Sequence, residues 1–296
     1  MNPLKINEIT IAGVARNCAK TLEGAVRSIS NAFCIADTVK WIVVESDSDD
    51  DTCRLLSDIQ TSRPGFHFHC LGNLRDVIPA RTERIAHCRN IYLQEFLFSP
   101  DYAGSEYLVV ADLDDYNSLL TADGVQSCFT RSDWSAVFAN QLGPYYDIWA
   151  LRHPLWCPDD CWREVEEITS DSVSYSQATW EKVSSRMVTV DPKWRWLQVQ
   201  SAFGGLGIYT RSALLGARYN GFTFKHSRVF KNQVCEHVSV NEKIFRTGGK
   251  LYINPSLLTC DFNEHNSHLR PANDSQPHHA ARLISGDWDG ISRAQA

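Results

Sequence analysis

The chain has 296 residues, 43% of them apolar, and 35 acidic against 29 basic side chains give a formal charge of −6. That length can bury a substantial core without staples, and the acidic balance excludes nucleic acid as the main partner, because neutralising phosphates needs a cationic face. No apolar run approaches the ~20 residues that span a bilayer, and the first eight residues carry no basic segment followed by an apolar core. The expectation is therefore a cytoplasmic protein, at most peripherally attached to a membrane face.

In chain order, residues 9–14 form a short apolar run ending in Ala15, Arg16 and Asn17, after which Leu22, Val26, Ile29 and Phe33 recur at helical spacing. Residues 41–44 predict a second buried strand, closed by the acidic stretch 45–51. Residues 52–60 read as a helix with Leu55, Leu56 and Ile59 on one face, and 66–71 as a third strand. Residues 82–98 predict a long helix with Ile85, Cys88, Tyr92 and Phe96 inward, and 107–111 a fourth strand ending in Asp112-Leu113-Asp114-Asp115. Strand and helix alternating at this rhythm imply a mostly parallel α/β sheet, in which ligands bind beyond the carboxyl ends of strands. Three polar clusters, at 16–17, 45–51 and 112–115, converge on that one edge.

The second half is less regular. Residues 136–140 predict a strand; 153–196, rich in Trp, Pro, Ser and charge, read as loops around a helix. Residues 201–209 predict a glycine-punctuated strand, 236–247 a helix with Val240, Ile244 and Phe245 inward, and 251–254 a last strand. From His265 the chain turns polar, which predicts a mobile tail over 265–296. No internal repeat or linker stands out, so 1–296 reads as a single domain. Most of the ten cysteines, among them Cys18, Cys34, Cys53, Cys88 and Cys128, sit in apolar or helical contexts and read as buried free thiols. Cys157 and Cys161 form a close pair, but a zinc site needs two more ligands at matching spacing.

The strongest chemical signal is Asp112-Leu113-Asp114 directly after a buried strand. Carboxylates two apart beyond a strand end can both face a hard cation, and that cation can bridge the phosphates of a donor. A solvated acidic turn is the plain alternative.

The order of motifs is specific. Ile-Ala-Gly-Val-Ala-Arg-Asn at 11–17, Val-Val-Glu-Ser-Asp-Ser-Asp-Asp-Asp-Thr at 43–52, Arg-Ile-Ala-His-Cys-Arg-Asn at 84–90 and Ala-Asp-Leu-Asp-Asp at 111–115 resemble the nucleotide-binding half of a GT-A glycosyltransferase. More narrowly they are similar to the fungal capsule-associated mannosyltransferases and their bacterial relatives. The resemblance continues through Pro144 to Arg152, Phe203 to Tyr209 and Cys235 to Val238, and so spans about residues 8–258.

The resemblance implies a GT-A fold with a nucleotide-sugar-binding half at about 1–140, an acceptor half at about 141–264, and Mn²⁺ or Mg²⁺ as cofactor. It implies a GDP- or UDP-sugar as donor and a glycan or lipid-linked glycan as acceptor, in surface polysaccharide synthesis. Ala15, Arg16, Asn17, Glu45, Asp47, Asp112 and Leu113 fall on the donor side. Glu45 or Asp47 would contact the nucleoside, although acids here also suit the positive end of the helix that follows. Arg84, Arg89 and Asn90 would face the diphosphate, which guanidinium binds in bidentate fashion. Asp112 and Asp114 would hold the metal, with His265 or His268 completing its shell. Tyr146, Asp147, Gly204 and Gly205 fall on the acceptor side. Glu236 would take the acceptor proton in an inverting enzyme, or bind acceptor hydroxyls in a retaining one. The common pattern has a second acid where this chain has His237, so either residue is a candidate. Trp149, Trp156, Trp194 and Trp196 offer stacking faces or core mass. Alternatives are a sugar nucleotidyltransferase, for which residues 12–16 make a poor phosphate loop, and a catalytically inactive carbohydrate-binding relative.

Overall fold

The computed structural model describes residues 6–114, 116–223 and 232–270. Asp115 and the tail beyond Arg270 lie outside these residues. Eight strands form one sheet in the order β3-β2-β1-β4-β7-β5-β10-β6. In chain order the elements are β1 (Ile6–Ala15), α1 (Leu22–Ala32), β2 (Ala36–Glu45), α2 (Thr52–Ser62), β3 (Phe66–Cys70), α3 (Arg81–Phe98), β4 (Tyr107–Ala111), α4 (Ala122–Ser127), β5 (Ala136–Asn140), α5 (Cys161–Ile168) and α6 (Tyr175–Lys182). There follow β6 (Leu197–Val199), β7 (Leu206–Thr210), α7 (Arg211–Leu214), β8 (Phe222–Thr223), β9 (Asn232–Gln233), α8 (Glu236–Arg246) and β10 (Leu251–Leu258). β8 and β9 pair apart from the main sheet.

β1 to β4 run parallel, as do β5 and β10; β7 is antiparallel between β4 and β5, and β6 is antiparallel on β10. Both faces are covered, so alternate residues of one strand enter different cores. Leu108 and Val110 of β4 pack with Ala12, Ile42, Tyr92 and Phe96, whereas Val109 and Ala111 pack with Ile11, Trp41, Leu22 and Ile29. Burial on both sides is why these strands read as continuous apolar runs instead of alternating ones.

The second half departs from the sequence reading in three places. The run at 201–209 is strand only from Leu206, because Gly204 and Gly205 hold φ of 68° and 85° and turn the chain first. The 153–196 region contains two helices, capped by the side chains of Asp160 and Ser174. Phe245 is 38% exposed: the buried stripe of α8 runs through His237, Val240, Asn241 and Ile244, which leaves Phe245 off it. Cys53 and Cys70 are bonded to each other, and Cys34 is exposed, so the expectation of buried free thiols holds for Cys18, Cys88, Cys128, Cys157, Cys161, Cys235 and Cys260. Trp156 is buried and Trp149 and Trp194 pack on the core, while Trp196 lies against Tyr252. Among the described residues no helix is long and apolar enough to cross a membrane.

Candidate functional site

The loops after β1 and β2 are stitched to one another. Asn17 N–H donates to Ser48 Oγ (3.0 Å) and Asp49 N–H to Asn17 Oδ1 (2.9 Å), while Arg16 Nε reaches Asp47 O (3.3 Å). Among the described residues the two non-glycines with positive φ are Asn17 (51°) and Asp47 (63°), one in each of these loops. Such backbone is costly for a side chain and persists where its surroundings over-determine it. Asp47 is buried and acts as an anchor: Arg75 N–H donates to Oδ1 (2.8 Å) and Arg84 Nε lies 3.2 Å from Oδ2. Burial pushes its carboxyl up, but the bonds from Arg75 and the charge of Arg84 outweigh that and hold it below its ordinary value. Arg84 also donates to the carbonyls of Ile78 and Pro79.

The acidic loop after β4 depends on close backbone approach. A Cβ on Gly13 would stand 2.9 Å from Ala111 O and from the Leu113 side chain, so β1 needs glycine there for buried Leu113 to fit. Asp112 N–H donates to Gly205 O (3.0 Å), and Asn117 Nδ2 donates to Asp112 O (2.8 Å). A Cβ on Gly204 would meet Ala139 O at 2.7 Å, and Gly204 N–H donates to Asp147 Oδ2 (3.0 Å). The two glycines thus carry Asp112 and Asp147 on opposite sides of one turn.

The inner wall is a chain of charges. Arg89, on α3, is 4% exposed; its Nε lies 2.9 Å from Glu236 Oε1, its Nη2 3.6 Å from Asp112 Oδ1, and its Nη1 donates to Tyr92 Oη (3.1 Å). Its guanidinium also lies over the rings of Phe203 and Tyr219. Burial opposes the charge of Arg89, but Tyr92, Glu236 and Asp112 hold its proton far more firmly than usual. Asn90 instead exchanges two bonds with the Tyr219 backbone, both 2.9 Å, which anchors the main chain there. Glu236 is the first residue of α8, where acids are favoured. His237 stacks on Phe203 with centroids 3.7 Å apart, and its Nε2 is 3.6 Å from Glu236 Oε1. Both its ring nitrogens are buried with no hydrogen-bond partner among the described residues. Burial, with the Arg89 charge, pushes its pKa well below 6.5, so the ring is neutral.

At the rim, His265 stacks on Tyr146 (5.5 Å) and Tyr116 (6.0 Å), and Tyr116 Oη donates to Glu264 Oε1 (3.0 Å). His268 turns away to Ser184 Oγ (3.2 Å). Burial and the charge of Asp114 push the Asp112 carboxyl well above its ordinary value; burial and Glu264 push Asp114 up, and His265 offsets part of this. Burial likewise raises Asp147. A cavity of ≈ 350 Å³ lies beside Asp114, Tyr116, Asp261 and Glu264. A larger one, ≈ 440 Å³, lies against the outer face of α8 near Arg152 and Lys243 and borders none of the carboxylates above.

No protein-family profile and no curated protein matches the chain. Solved structures overlay loosely. The mannosyltransferase PcManGT from Pyrobaculum calidifontis, in complex with GDP-Man and Mn²⁺, is 15% identical, with 87% of this chain and 57% of that one covered at a TM-score of 0.46. S. aureus TarS 1–349 is 10% identical over 84% of this chain and 58% of that one, at 0.45. Glucosyl-3-phosphoglycerate synthase from Mycobacterium tuberculosis, with UDP, is 13% identical over 86% and 69%, at 0.39. The chain thus spans less than two thirds of TarS 1–349 and PcManGT, and overlays this loose carry no weight for function.

The fold therefore gathers Asp112, Asp147, Arg89, Glu236 and His237 into one wall, with Asp114, Tyr146 and His265 at its rim. Glu45, 1% exposed, is separate from this wall, beside Cys53 and Cys70. Arg75, Tyr116 and Asn117 escaped the sequence reading. Tyr116 and Asn117 follow the acidic motif directly, which was the available signal; Arg75, in a single 3-10 turn at Leu74–Asp76, carried none.

Proposed function

We propose that the chain is a metal-dependent glycosyltransferase that moves a sugar from a nucleotide-sugar donor to a glycan or lipid-linked glycan. The observation that supports this most is Arg89 joined to Asp112 on one side and Glu236 on the other. A donor diphosphate needs cationic charge close to a cation site, and an acceptor needs an acid across from it. One buried guanidinium touches both.

Asp112 and Asp114 offer the oxygen ligands that a hard divalent cation takes, but with His265 they do not bring their ligand atoms within 4.8 Å of one another in this structure. The charge of Asp114 raises the Asp112 carboxyl's affinity for positive charge, and His265 stands close enough to influence Asp114. When bound there, Mn²⁺ or Mg²⁺ would offset the charge of the departing nucleoside diphosphate. Arg89 then holds Glu236 and Asp112 in fixed relation, and Gly205 holds the backbone of Asp112. Glu236 reaches Arg89 through Oε1, so Oε2 is the oxygen assigned to an acceptor hydroxyl, whose proton it takes as the glycosidic bond forms. His237, neutral and stacked, packs behind that carboxylate. The ring faces of Tyr116, Tyr146 and His265 supply an apolar rim for a sugar.

In this reading Ala15, Arg16, Asn17, Asp47 and Arg84 frame the nucleoside end, with Glu45 beneath it, and the setting is surface polysaccharide assembly at the cytoplasmic face of a membrane. Thermal-shift screening against UDP-, GDP- and CMP-sugars with and without Mn²⁺, followed by a transfer assay on the best donor, tests it. Stabilisation by one nucleotide class that requires Mn²⁺ is expected; no shift with any of them overturns the reading.

A further inference from the structure

Away from this wall, the ends of β2 and β3 and the first turn of α2 assemble a second reactive group. Glu45 and Cys70 are register partners in the parallel ladder, and Cys53 is the second residue of α2. The two sulfurs are bonded across a separation of 17 residues. Glu45 Oε2 lies 2.9 Å from each of them. Among the described residues this is the one His, Cys, Asp or Glu trio whose ligand atoms all fall within 4.8 Å. Glu45 is buried, whereas Cys70 is exposed and Cys53 half-buried, so small thiols and disulfides can reach the sulfurs.

The two oxidation states of this pair treat the carboxylate differently. As thiols, both sulfurs can donate S–H to Oε2. As a disulfide they have no hydrogen to give, and among the described residues only Oε1 keeps a donor, the Ser48 N–H at 2.9 Å. A buried charged acceptor stripped of donors is unfavourable, so Glu45 opposes the disulfide. We infer that Cys53 and Cys70 are a reversible redox pair whose thiol–disulfide balance is set by Glu45. When a small-molecule disulfide oxidises the pair, two S–H bonds break and one S–S bond forms. Two electrons pass to the oxidant, which leaves as two thiols carrying the protons. If Glu45 serves the donor nucleoside, a step that rests on the proposed function, ligand hydroxyls supply the donors that the disulfide form lacks. Oxidation and nucleotide binding then favour each other, reciprocally.

The test is alkylation of free thiols, read by mass spectrometry, on the full chain in glutathione buffers of graded ratio. Wild type should pass between dithiol and disulfide, and Glu45→Gln, which removes the charge at nearly constant shape, should raise the disulfide-to-dithiol ratio at least about tenfold. An unchanged ratio overturns the inference. So does a wild-type pair that stays in one state across the series, a result that needs no variant to fold. GDP and UDP binding to the oxidised and reduced forms is the second measurement. Binding about fivefold or more tighter to the oxidised form is expected, the lower end of usual coupling; equal binding overturns the link to the donor. Binding to neither form counts against the proposed function, while the thiol titration still decides the redox pair.

Discussion

Arg89 and Glu236 are 147 positions apart in sequence, yet Nε and Oε1 meet at 2.9 Å with both side chains under a tenth exposed. This one contact ties α3, in the half that carries the acidic loop, to the start of α8. It also changes what each residue can do. Arg89 is held by two protein carboxylates, and Glu236 has one oxygen already engaged.

Arg89→Ala is therefore expected to cost stability as well as donor binding. Removing one partner of a buried pair leaves the other charge uncompensated, worth about 3–5 kcal/mol. Arg89→Lys should recover only part, since a point charge cannot reach Glu236, Asp112 and Tyr92 together. Urea denaturation of both variants checks this; a loss below about 1 kcal/mol in Arg89→Ala would show that the pair is not structurally important.

Asp114 stands at the rim, and its loss leaves the buried wall intact. Asp114→Ala should keep the fold while removing nearly all transfer and the Mn²⁺ dependence of nucleotide binding. Titration calorimetry of nucleotide with and without Mn²⁺ measures it. A folded variant with near-normal Mn²⁺-dependent binding would sink Asp114 as a ligand.

Glu236→Gln keeps size and an acceptor for Arg89 but cannot take a proton. As a general base, its replacement should lower transfer by about 10²–10⁴, with donor and metal binding little changed. If Glu236 only holds the acceptor, the loss appears mainly as a raised acceptor KM. The product anomer, read by NMR, is an independent check: inversion requires a base, and a modest KM effect with an inverted product would move the assignment to His237.

His237 should make stability depend on pH in one direction. The folded state keeps its ring neutral far below 6.5, whereas the unfolded chain titrates near that value. Above about pH 6.5 neither state is protonated and the contribution is fully present. As pH falls below it, only the unfolded chain gains a proton, so stability drops by up to about 1.4 kcal/mol per pH unit. His153, pushed down to about 4 by burial, acts in the same sense. The difference between wild type and His237→Phe, which preserves the stack on Phe203, isolates His237. Melting curves at pH 5 and pH 7.5 that fall in parallel for both proteins would refute it.

What the sequence by itself determined is the parallel framework of β1 to β4. β4 and β5 were legible to the residue, because strands buried on both faces are unbroken apolar runs, and the polar clusters ending β1, β2 and β4 had to share one edge once the strands were parallel. Local chemistry is enough for such features. Tertiary structure alone decided the rest. Nothing near Arg89 announces Glu236, since a buried ion pair between distant elements leaves no periodicity. Nothing near Glu45 announces that the ladder sets Cys70 beside it while a helix turn brings Cys53. The two-sided role of Gly204 and Gly205 became visible only with their positive φ, because a glycine reads the same in sequence whether it sits in a strand or turns the chain.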